Sequence, residues 1–248
     1  MNKVVILAAG KGKRMGSDTP KALSIIKERP MVEYLINSVN KTSISKPPIL
    51  VVNSDNIKIF SEKLAAYKVD YAIQEEQLGT GHAVLSAKDL VEDDVENIIV
   101  LYGDHPFIKA ESIERLINEH KTEVSMLVID LNDFNDWRSV FYNLGRVIIE
   151  NNSIKEIIEY KDANEDVKKV TKINPAIFCF NRKWLFERLP KLKNNNNQQE
   201  YYLTDLIKVA FEENIKINFS LVEPKEAIGV NRPEELEIAK NLANNFIF

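Results

Sequence analysis

The chain has 248 residues and 44% of them are hydrophobic, which is enough to bury a sizeable core. Its net charge of −4 argues against a general nucleic-acid-binding protein, because such proteins present a basic face. The single cysteine, Cys179, excludes an internal disulfide, and its apolar neighbours predict a buried, unreactive thiol. The sequence has neither a secretory leader pattern nor an apolar run of membrane-spanning length, so we expect a cytoplasmic protein.

The first predicted strand is the apolar run at residues 4–7, and a loop rich in glycine and alanine follows it. Small side chains leave successive N–H groups uncovered, so such a loop can approach and hold an anion. Four cations stand near it against one acid, Asp18, and they are Lys11, Lys13, Arg14 and Lys21. This local positive charge predicts a phosphate-binding site; the alternative is a solvated turn that carries scattered lysines.

Residues 7–15, Leu-Ala-Ala-Gly-Lys-Gly-Lys-Arg-Met, and the later Pro-Lys-Ala-Leu at residues 20–23 resemble the signature of sugar-1-phosphate nucleotidyltransferases. They are most similar to the uridyltransferase half of the bifunctional enzyme that makes UDP-N-acetylglucosamine. The spacing differs from a Walker A loop and from the Rossmann dinucleotide fingerprint. The resemblance implies that Arg14 and Lys21 are catalytic. It also implies nucleotide contacts from Leu7, Ala8, Ala9, Gly10, Lys11 and Gly12.

Strands and helices are predicted to alternate after this loop. A helical period at residues 32–39 precedes a buried strand at residues 49–52, a helix at 57–65 and a third strand at 69–73. This order predicts parallel βαβ units whose ligand crevice lies at the carboxyl ends of the strands. We therefore expect an α/β fold with a Rossmann-like mixed, mostly parallel sheet flanked by helices. The resemblance implies the nucleotide-diphospho-sugar transferase fold.

Residues 74–83 follow the third strand and resemble the base-recognition segment of the family. The amide of Gln74 has a donor and an acceptor edge, which suits the donor and acceptor face of uracil. Gly79, Thr80 and Gly81 are expected to expose backbone N–H groups where a helix begins. The alternative is a surface amide beside an ordinary turn. We interpret His82 as a structural residue of the first helical turn.

A further strand at residues 97–102 ends in Gly-Asp-His-Pro. A carboxylate at the carboxyl end of a strand can hold a hard cation, and Mg²⁺ needs only one or two protein oxygens besides phosphate and water. The resemblance implies that Asp104 and Asn231 are the ligands of Mg²⁺. Alternatively, Asp104 stabilises a turn and Asn231 caps the helix that begins near Pro233. His105 departs from the family pattern, and we expect an exposed imidazole there.

The second half of the chain is predicted to hold the sugar phosphate. The resemblance implies sugar contacts from Tyr102, Gly103, Gly145, Glu159, Asn174, Tyr202 and Thr204. Two alternatives remain open, in which Glu159 pairs with a lysine across a strand pair and Thr204 caps a helix. Asn174-Pro175-Ala176 and Leu144 replace an Asn-Thr-Gly segment and an aromatic residue of the family pattern. The identity of the sugar is therefore open.

The remaining predicted elements are a helix at residues 111–120, strands at 124–130 and 217–222, a strand pair within 144–158 and a helix at 234–246. Residues 133–143 and 194–199 are predicted to form flexible loops. We expect one nucleotidyltransferase domain, residues 1–248. Its nucleotide-binding half is residues 1–107, its sugar-binding half is 108–227, and a metal-ligand turn with the last helix is 228–248.

The resulting hypothesis is transfer of a uridylyl group from UTP to N-acetylglucosamine 1-phosphate. The partners are then a nucleoside triphosphate and a sugar 1-phosphate, with no nucleic acid and no membrane. No hexapeptide repeat is present, so we expect neither acetyltransferase activity nor a β-helix trimer, and the oligomeric state stays open. Three alternatives remain: use of another sugar or alditol phosphate with UTP, CTP or dTTP, a glycosyltransferase, and a catalytically silent nucleotide-sugar-binding protein. The glycosyltransferase would normally need a second carboxylate beside Asp104.

Overall fold

The computed structural model describes residues 1–10, 12, 15–16, 19–150 and 153–243. The strands are β1 Asn2–Leu7, β2 Ile25–Ile26, β3 Arg29–Pro30, β4 Ile49–Val52, β5 Asp70–Ile73, β6 Asn97–Tyr102, β7 Val124–Asp130, β8 Arg146–Glu150, β9 Ser153–Ile158, β10 Lys172–Ile173, β11 Phe178–Asn181 and β12 Asn218–Leu221. The α-helices are α1 Met31–Asn40, α2 Ile57–Lys63, α3 Thr80–Ser86, α4 Ala110–Asn118, α5 Glu165–Lys168, α6 Arg182–Arg188, α7 Asp205–Glu212 and α8 Pro233–Ala243.

One mixed sheet runs through the protein in the order β5-β4-β1-β6-β11-β7-β10-β8-β9, and β12 pairs with β7. The first four strands are parallel to one another, as the alternation of strands and helices predicts. Strand β11 then reverses direction between β6 and β7. In register, Leu7 stands between Val51 and Tyr102, so the carboxyl ends of β1, β4 and β6 open into one crevice.

The sheet is covered on both faces, because alternate side chains of its central strands enter different cores. Val4 and Ile6 of β1 join one core, which helices α1, α4 and α8 cover. Val5 joins the other core, beneath α3, α6 and α7. All three side chains are fully buried, which explains the continuous apolar sequence of this strand.

Most predicted elements are confirmed within a residue or two, and one prediction needs correction. Residues 136–141 of the predicted loop form a 3₁₀-helix whose Phe141 is fully buried. The run at residues 194–199 is a loop, as predicted, and its Asn197 amide donates to the Lys161 carbonyl at 2.9 Å. The predicted turn at residues 151–152 and the end of the last helix, residues 244–246, lie outside the described residues.

Arg146 explains why the segment before β8 is packed. Its side chain is fully buried, and its guanidinium donates to the carbonyl oxygens of Tyr142, Leu144 and Lys168. The group also lies 4.9 Å from the centre of the Phe134 ring. A buried cation needs such partners, so this arginine fastens the 3₁₀-helix to the sheet. No helix in the described part of the chain is both long and apolar enough to span a membrane.

Candidate active site

The crevice begins where β1 and β6 end side by side. The N–H of Gly103 donates to the Leu7 carbonyl at 2.9 Å, and the N–H of Ala8 donates to the Val51 carbonyl at 2.8 Å. A Cβ atom at Gly103 would lie 3.1 Å from the Cβ of Ala22 and 3.4 Å from that of Ala8. The small residues therefore bring the start of the glycine loop, Ala22 and the end of β6 into close contact.

Three side chains meet at this point, and we call Lys21, Asp104 and Asn231 the cation cluster. The Lys21 ammonium donates to Asp104 Oδ2 and, at 2.7 Å, to Asn231 Oδ1. The turn that carries Asn231 is held beside β6, because the N–H of Val230 donates to the Asp104 carbonyl at 3.0 Å. Residues far apart in the sequence thus direct two oxygen atoms at one positive charge.

Asn231 does not cap α8 through its side chain. Instead, the Glu235 carboxylate accepts hydrogen bonds from the N–H groups of Asn231 at 2.5 Å and Arg232 at 3.1 Å. This leaves the Asn231 side chain directed at Lys21. The alternative interpretation of Asn231 as a helix cap is therefore wrong, and α8 obtains its N-terminal partner from its own first turn.

The electrostatics of the cluster favour an ionised Asp104. Burial acts to raise the pKa of its carboxyl group, but the Lys21 ammonium and the neighbouring His105 ring hold that pKa well below its usual range. The carboxylate and the amide oxygen fit a hard cation, because one ammonium already reaches both of them. Among the described residues, no group of three or more His, Cys, Asp or Glu side chains could hold a metal ion. A metal here would therefore need phosphate or water oxygens as further ligands.

His105 corrects the expectation of an exposed imidazole. Its residue is 6% exposed, and its Nδ1 lies 3.0 Å from Asp104 Oδ1. On the other side, a Cβ atom at Gly229 would come within 2.9 Å of His105 Nε2. The ring is buried because the turn at residues 227–231 folds back over the end of β6.

The predicted base-recognition segment leaves β5 and turns into α3. Gln74 is 3% exposed, and its Nε2 atom lies 3.1 Å from the Gly79 carbonyl and 3.0 Å from His82 Nδ1. The amide of Gln77 donates to the Ala9 carbonyl at 2.9 Å, which joins this segment to the glycine loop. The alternative of a surface amide at Gln74 is therefore wrong.

The two glycines of this segment approach another loop closely. Gly79 has a φ of +116°, and a Cβ atom there would lie 2.7 Å from the backbone nitrogen of Tyr201. The N–H of Gly81 donates to the Tyr201 carbonyl at 2.8 Å, so it is not exposed as the sequence predicted. No partner is found for the N–H groups of Gly79 and Thr80 within the residues that the structure describes.

The predicted sugar contacts of the second half gather around Glu159. The Thr204 hydroxyl donates to Glu159 Oε1 at 3.1 Å, and a Cβ atom at Gly145 would lie 3.4 Å from Glu159 Oε2. The N–H of Asn174 donates to the Gly145 carbonyl at 2.9 Å. Burial raises the pKa of Glu159 despite the Thr204 hydrogen bond, and nearby Asp162 adds to that rise.

Two alternatives for this region are wrong. Thr204 makes no side-chain cap for α7, because its hydroxyl is directed at Glu159. In the described part of the chain, Glu159 forms no ion pair with a lysine. Tyr202 lies beside them, 7% exposed, with its hydroxyl accepting from Gln198 at 2.7 Å, and burial raises the pKa of Tyr202 to about 12.

Tyr102, at the end of β6, lies between the groups around Glu159 and the predicted base-recognition segment. Its hydroxyl interacts with that of Thr80, and burial raises its pKa. Lys11 and Arg14 lie outside the described residues. The structure thus brings Lys21, Asp104 and Asn231 together at one end of the crevice, and Gly145, Glu159, Asn174 and Thr204 together elsewhere along it.

Residues 4–208 match the family described as MobA-like NTP transferase domain. The match spans most of the chain, including the glycine loop, the base-recognition segment and Asp104. This chain belongs to that family. Lys21 and Asp104 lie within the matched residues, whereas Asn231 lies beyond them.

Relatives of this NTP transferase domain include proteins named Bifunctional protein GlmU. The one from Clostridium beijerinckii is 35% identical over 246 residues, which are 98% of this chain and 52% of that protein. The one from Caldicellulosiruptor saccharolyticus is 38% identical, with 95% and 50% covered, and the one from Desulfotalea psychrophila is 37% identical, with 95% and 68% covered. The chain spans about half the length of most of these relatives.

Two solved structures share the fold of this NTP transferase domain. A Bacillus anthracis protein described as a glucose-1-phosphate thymidylyltransferase superposes with a TM-score of 0.77 at 19% identity, covering 100% of this chain and 97% of that one. A 4-diphosphocytidyl-2C-methyl-D-erythritol synthase from Anaerococcus prevotii superposes with a TM-score of 0.68 at 17% identity, with 98% of both chains covered. The predicted nucleotide-diphospho-sugar transferase fold is confirmed.

Sequence reasoning missed the contacts of two histidines in this NTP transferase domain. It predicted an exposed imidazole for His105 and a structural helix residue for His82, yet each contacts a side chain predicted to bind ligand. For His105, the signal was its departure from the family pattern directly beside Asp104. For His82, spacing offered a signal, since the residue stands on the first turn of α3, within reach of the end of β5.

Proposed function

We propose that this protein transfers a uridylyl group from UTP to N-acetylglucosamine 1-phosphate, giving UDP-N-acetylglucosamine and pyrophosphate. The family match and the resemblance of the segments at residues 7–23, 74–83 and 200–205 support this proposal. A cytoplasmic setting is part of the proposal, because UTP is a cytoplasmic metabolite. The substrates are small molecules, and neither nucleic acid nor membrane takes part.

The proposed reaction depends more on neutralising negative charge than on transferring a proton. The nucleophile is an oxygen of the sugar phosphate, which is already anionic because the second pKa of a phosphate monoester is about 6. No general base is therefore needed. What limits the reaction is repulsion between two anions, their orientation, and the charge that develops on the departing pyrophosphate.

Lys21 supplies positive charge where the two phosphates meet, and Arg14 covers the triphosphate from the glycine loop. Asp104 and Asn231 hold Mg²⁺, which neutralises phosphate charge when it is bound. Glu159, Thr204 and Asn174 hold the sugar, since carboxyl, hydroxyl and amide groups bind hydroxyls directionally. Gly145 packs beside Glu159, and a Cβ atom there would come within 2.9 Å of the Ile157 side chain.

One observation carries the proposal: the Lys21 ammonium contacts both Asp104 and Asn231. Two oxygens from distant parts of the chain and one lysine converge at the carboxyl ends of parallel strands, next to a glycine loop. A structural ion pair alone would need only one carboxylate partner. The additional neutral amide oxygen of Asn231 is a ligand atom that suits a hard cation.

A substrate panel tests the proposal directly. Pyrophosphate release would be measured with UTP, dTTP and CTP against N-acetylglucosamine 1-phosphate, glucose 1-phosphate and an alditol phosphate. We expect the fastest turnover with UTP and N-acetylglucosamine 1-phosphate, and a fall of about 10²-fold or more in Lys21→Ala and Asp104→Asn. Circular dichroism would show that both variants fold. Full turnover in either variant would contradict the proposed roles.

A second substrate class has one specific observation in its favour. Pro175 follows Asn174 and cannot donate a hydrogen bond, and Ala176 occupies the place of a glycine in the family pattern. These changes lie next to a proposed sugar contact. Selective turnover of another sugar or alditol phosphate in the panel would assign that substrate. Nucleotide binding without pyrophosphate release would instead indicate a silent binding protein.

A further inference from the structure

The side-chain amide of Gln74 is held in one orientation. The Gly79 carbonyl can only accept a hydrogen bond, so the amide atom 3.1 Å from it must be the nitrogen, Nε2. The backbone of Gln74 is fixed as well, because its N–H donates to the Val52 carbonyl at 2.8 Å. The residue follows β5 directly, at the edge of the crevice.

His82 takes the second proton of the same nitrogen. Its Nδ1 atom lies 3.0 Å from Gln74 Nε2, and two donors cannot face each other at that distance. Nδ1 is therefore the acceptor, and the proton of the neutral ring stands on Nε2 of the imidazole. Both amide protons of Gln74 are thus bound inside the protein.

Only the oxygen of this amide is left for a ligand. Gln74 Oε1 has no hydrogen-bond partner among the residues that the structure describes, although the residue is 3% exposed. An acceptor at the edge of the crevice that has no partner in the described part of the chain favours a ligand that brings an N–H group to it. Uracil and thymine carry such a group at N3, whereas the N3 of cytosine is itself an acceptor.

We propose that His82 is a positioning residue that, together with the Gly79 carbonyl, holds Gln74 as an acceptor and so sets nucleobase choice. The site then takes uridine or thymidine triphosphate and rejects cytidine triphosphate. This inference rests on the proposed function, because it assumes that the crevice binds a nucleotide at Gln74. It replaces the expectation that both edges of the amide meet the base.

The test compares nucleotides in wild type and in His82→Phe, which keeps a ring of similar size but has no acceptor. Loss of His82 removes one of the two acceptors that hold the amide nitrogen, so it costs less for the amide to turn over and present its N–H to the N3 of cytosine. We expect the ratio of kcat/KM for UTP to that for CTP to fall on the order of 10-fold or more, mainly through KM. His82→Asn, which returns an acceptor oxygen, should restore part of the preference.

His120→Phe is the matched control. His120 also bonds a neighbouring side chain through Nδ1, at 2.8 Å from the Ser125 hydroxyl, but it lies outside the crevice at the end of α4. Its replacement should leave the nucleotide ratio unchanged. An unchanged ratio in folded His82→Phe, or a wild type that uses CTP as well as UTP, would overturn the inference.

A second probe needs no variant. The dissociation constant of 3-methyluridine triphosphate, which lacks the N3 proton, would be compared by calorimetry with that of 5-methyluridine triphosphate. We expect the 3-methyl compound to bind the wild type more than 10-fold more weakly. Equal binding would contradict the acceptor role of Gln74. Because this is a binding measurement, a selective result together with no pyrophosphate release would retain the inference and reject the proposed reaction.

Discussion

At the scale of single residues, the two buried carboxyl groups of the crevice are shifted in opposite directions. Lys21 and His105 lower the pKa of Asp104 in spite of its burial, whereas burial raises the pKa of Glu159. Asp104 therefore stays ionised, as its proposed role as a cation ligand requires. Glu159 is more readily protonated than a free glutamate, which suits contact with the uncharged hydroxyls of a sugar.

Asp205 gives a measurable pH dependence of stability. Burial, with help from Asp162 and Glu156 and against Lys208, raises its pKa from the ordinary 3.8 to about 6. The folded protein therefore keeps a proton that the unfolded chain releases, so stability is lost as pH rises from about 4 through about 6. We expect Asp205→Asn to raise the free energy of unfolding by about 2 kcal/mol at pH 7.5 and by much less at pH 4.

The expected gain is below the full value of a two-unit shift because Asp205 is the first residue of α7. A negative charge there gains about 0.3–1 kcal/mol from the helix dipole. Urea unfolding at both pH values measures the difference. Asp93→Asn is the control, since the Asp93 side chain is fully exposed and should change stability by less than about 0.5 kcal/mol. Equal effects of Asp205→Asn at both pH values would refute the assignment.

Ala176 carries backbone strain at the edge of the proposed sugar-binding region. Its φ is +59°, a left-handed conformation that costs an L-residue with a Cβ atom about 1–2 kcal/mol. We expect Ala176→Gly to stabilise the protein by about 0.5–1 kcal/mol, because relief of strain exceeds the added entropy of the unfolded chain. Denaturant unfolding would measure it, with Ala210→Gly in α7 as a control that should destabilise. Destabilisation at residue 176 would contradict the prediction.

At the scale of elements, the proposed nucleotide and sugar sides of the crevice are hydrogen-bonded to each other. The N–H of Tyr201 donates to the Leu78 carbonyl at 2.8 Å, and the N–H of Leu203 donates to the Thr80 hydroxyl at 2.9 Å. The segment before α7 therefore cannot move without disturbing the start of α3. Ordering one loop on a nucleotide should help to order the other for the sugar phosphate.

Thr80→Val tests this connection. Valine keeps the shape of the side chain but removes the acceptor, which leaves the N–H of fully buried Leu203 unpaired. We expect a loss of about 1–3 kcal/mol of stability and a raised KM for the sugar phosphate. Thr80→Ser keeps the hydroxyl and should behave like wild type in both measurements. A Thr80→Val protein with unchanged KM would show that the two loops act independently.

At the scale of the whole molecule, ligand binding should raise the thermal stability. The proposed site joins distant parts of the fold, because Lys21 follows β1, Asp104 follows β6 and Asn231 precedes α8. Magnesium and UTP at about 100 times the dissociation constant should add about 2.7 kcal/mol, or roughly 5–10 °C in Tm. Magnesium alone should add little, since Asp104 and Asn231 offer only two oxygens and Lys21 contacts both. Differential scanning calorimetry would measure each case. Asn231→Ala should reduce the shift, and no shift with any nucleotide would refute the site.

The fold could be predicted in outline because its information is local. The period of apolar residues located β1, β4, β6 and α1, and short side chains marked the loops at their ends. The 3₁₀-helix at residues 136–141 was not predicted, because its end is held by Arg146 from a strand further along the chain. The residues of the glycine loop, the base-recognition segment and the cation cluster were named from the sequence through their resemblance to a family.

By itself, the sequence determined which segments are strands, which loops are open to a ligand, and that positive charge collects beside the first of them. Only the tertiary structure decided that Lys21 joins Asp104 to Asn231, that His105 is buried beneath Gly229, and that the His82 ring lies 3.0 Å from the Gln74 amide. The physical reason is distance along the chain. Periodicity and turn chemistry act over a few residues, whereas the charge and hydrogen-bonding state of a side chain depend on whichever segments the sheet brings beside it.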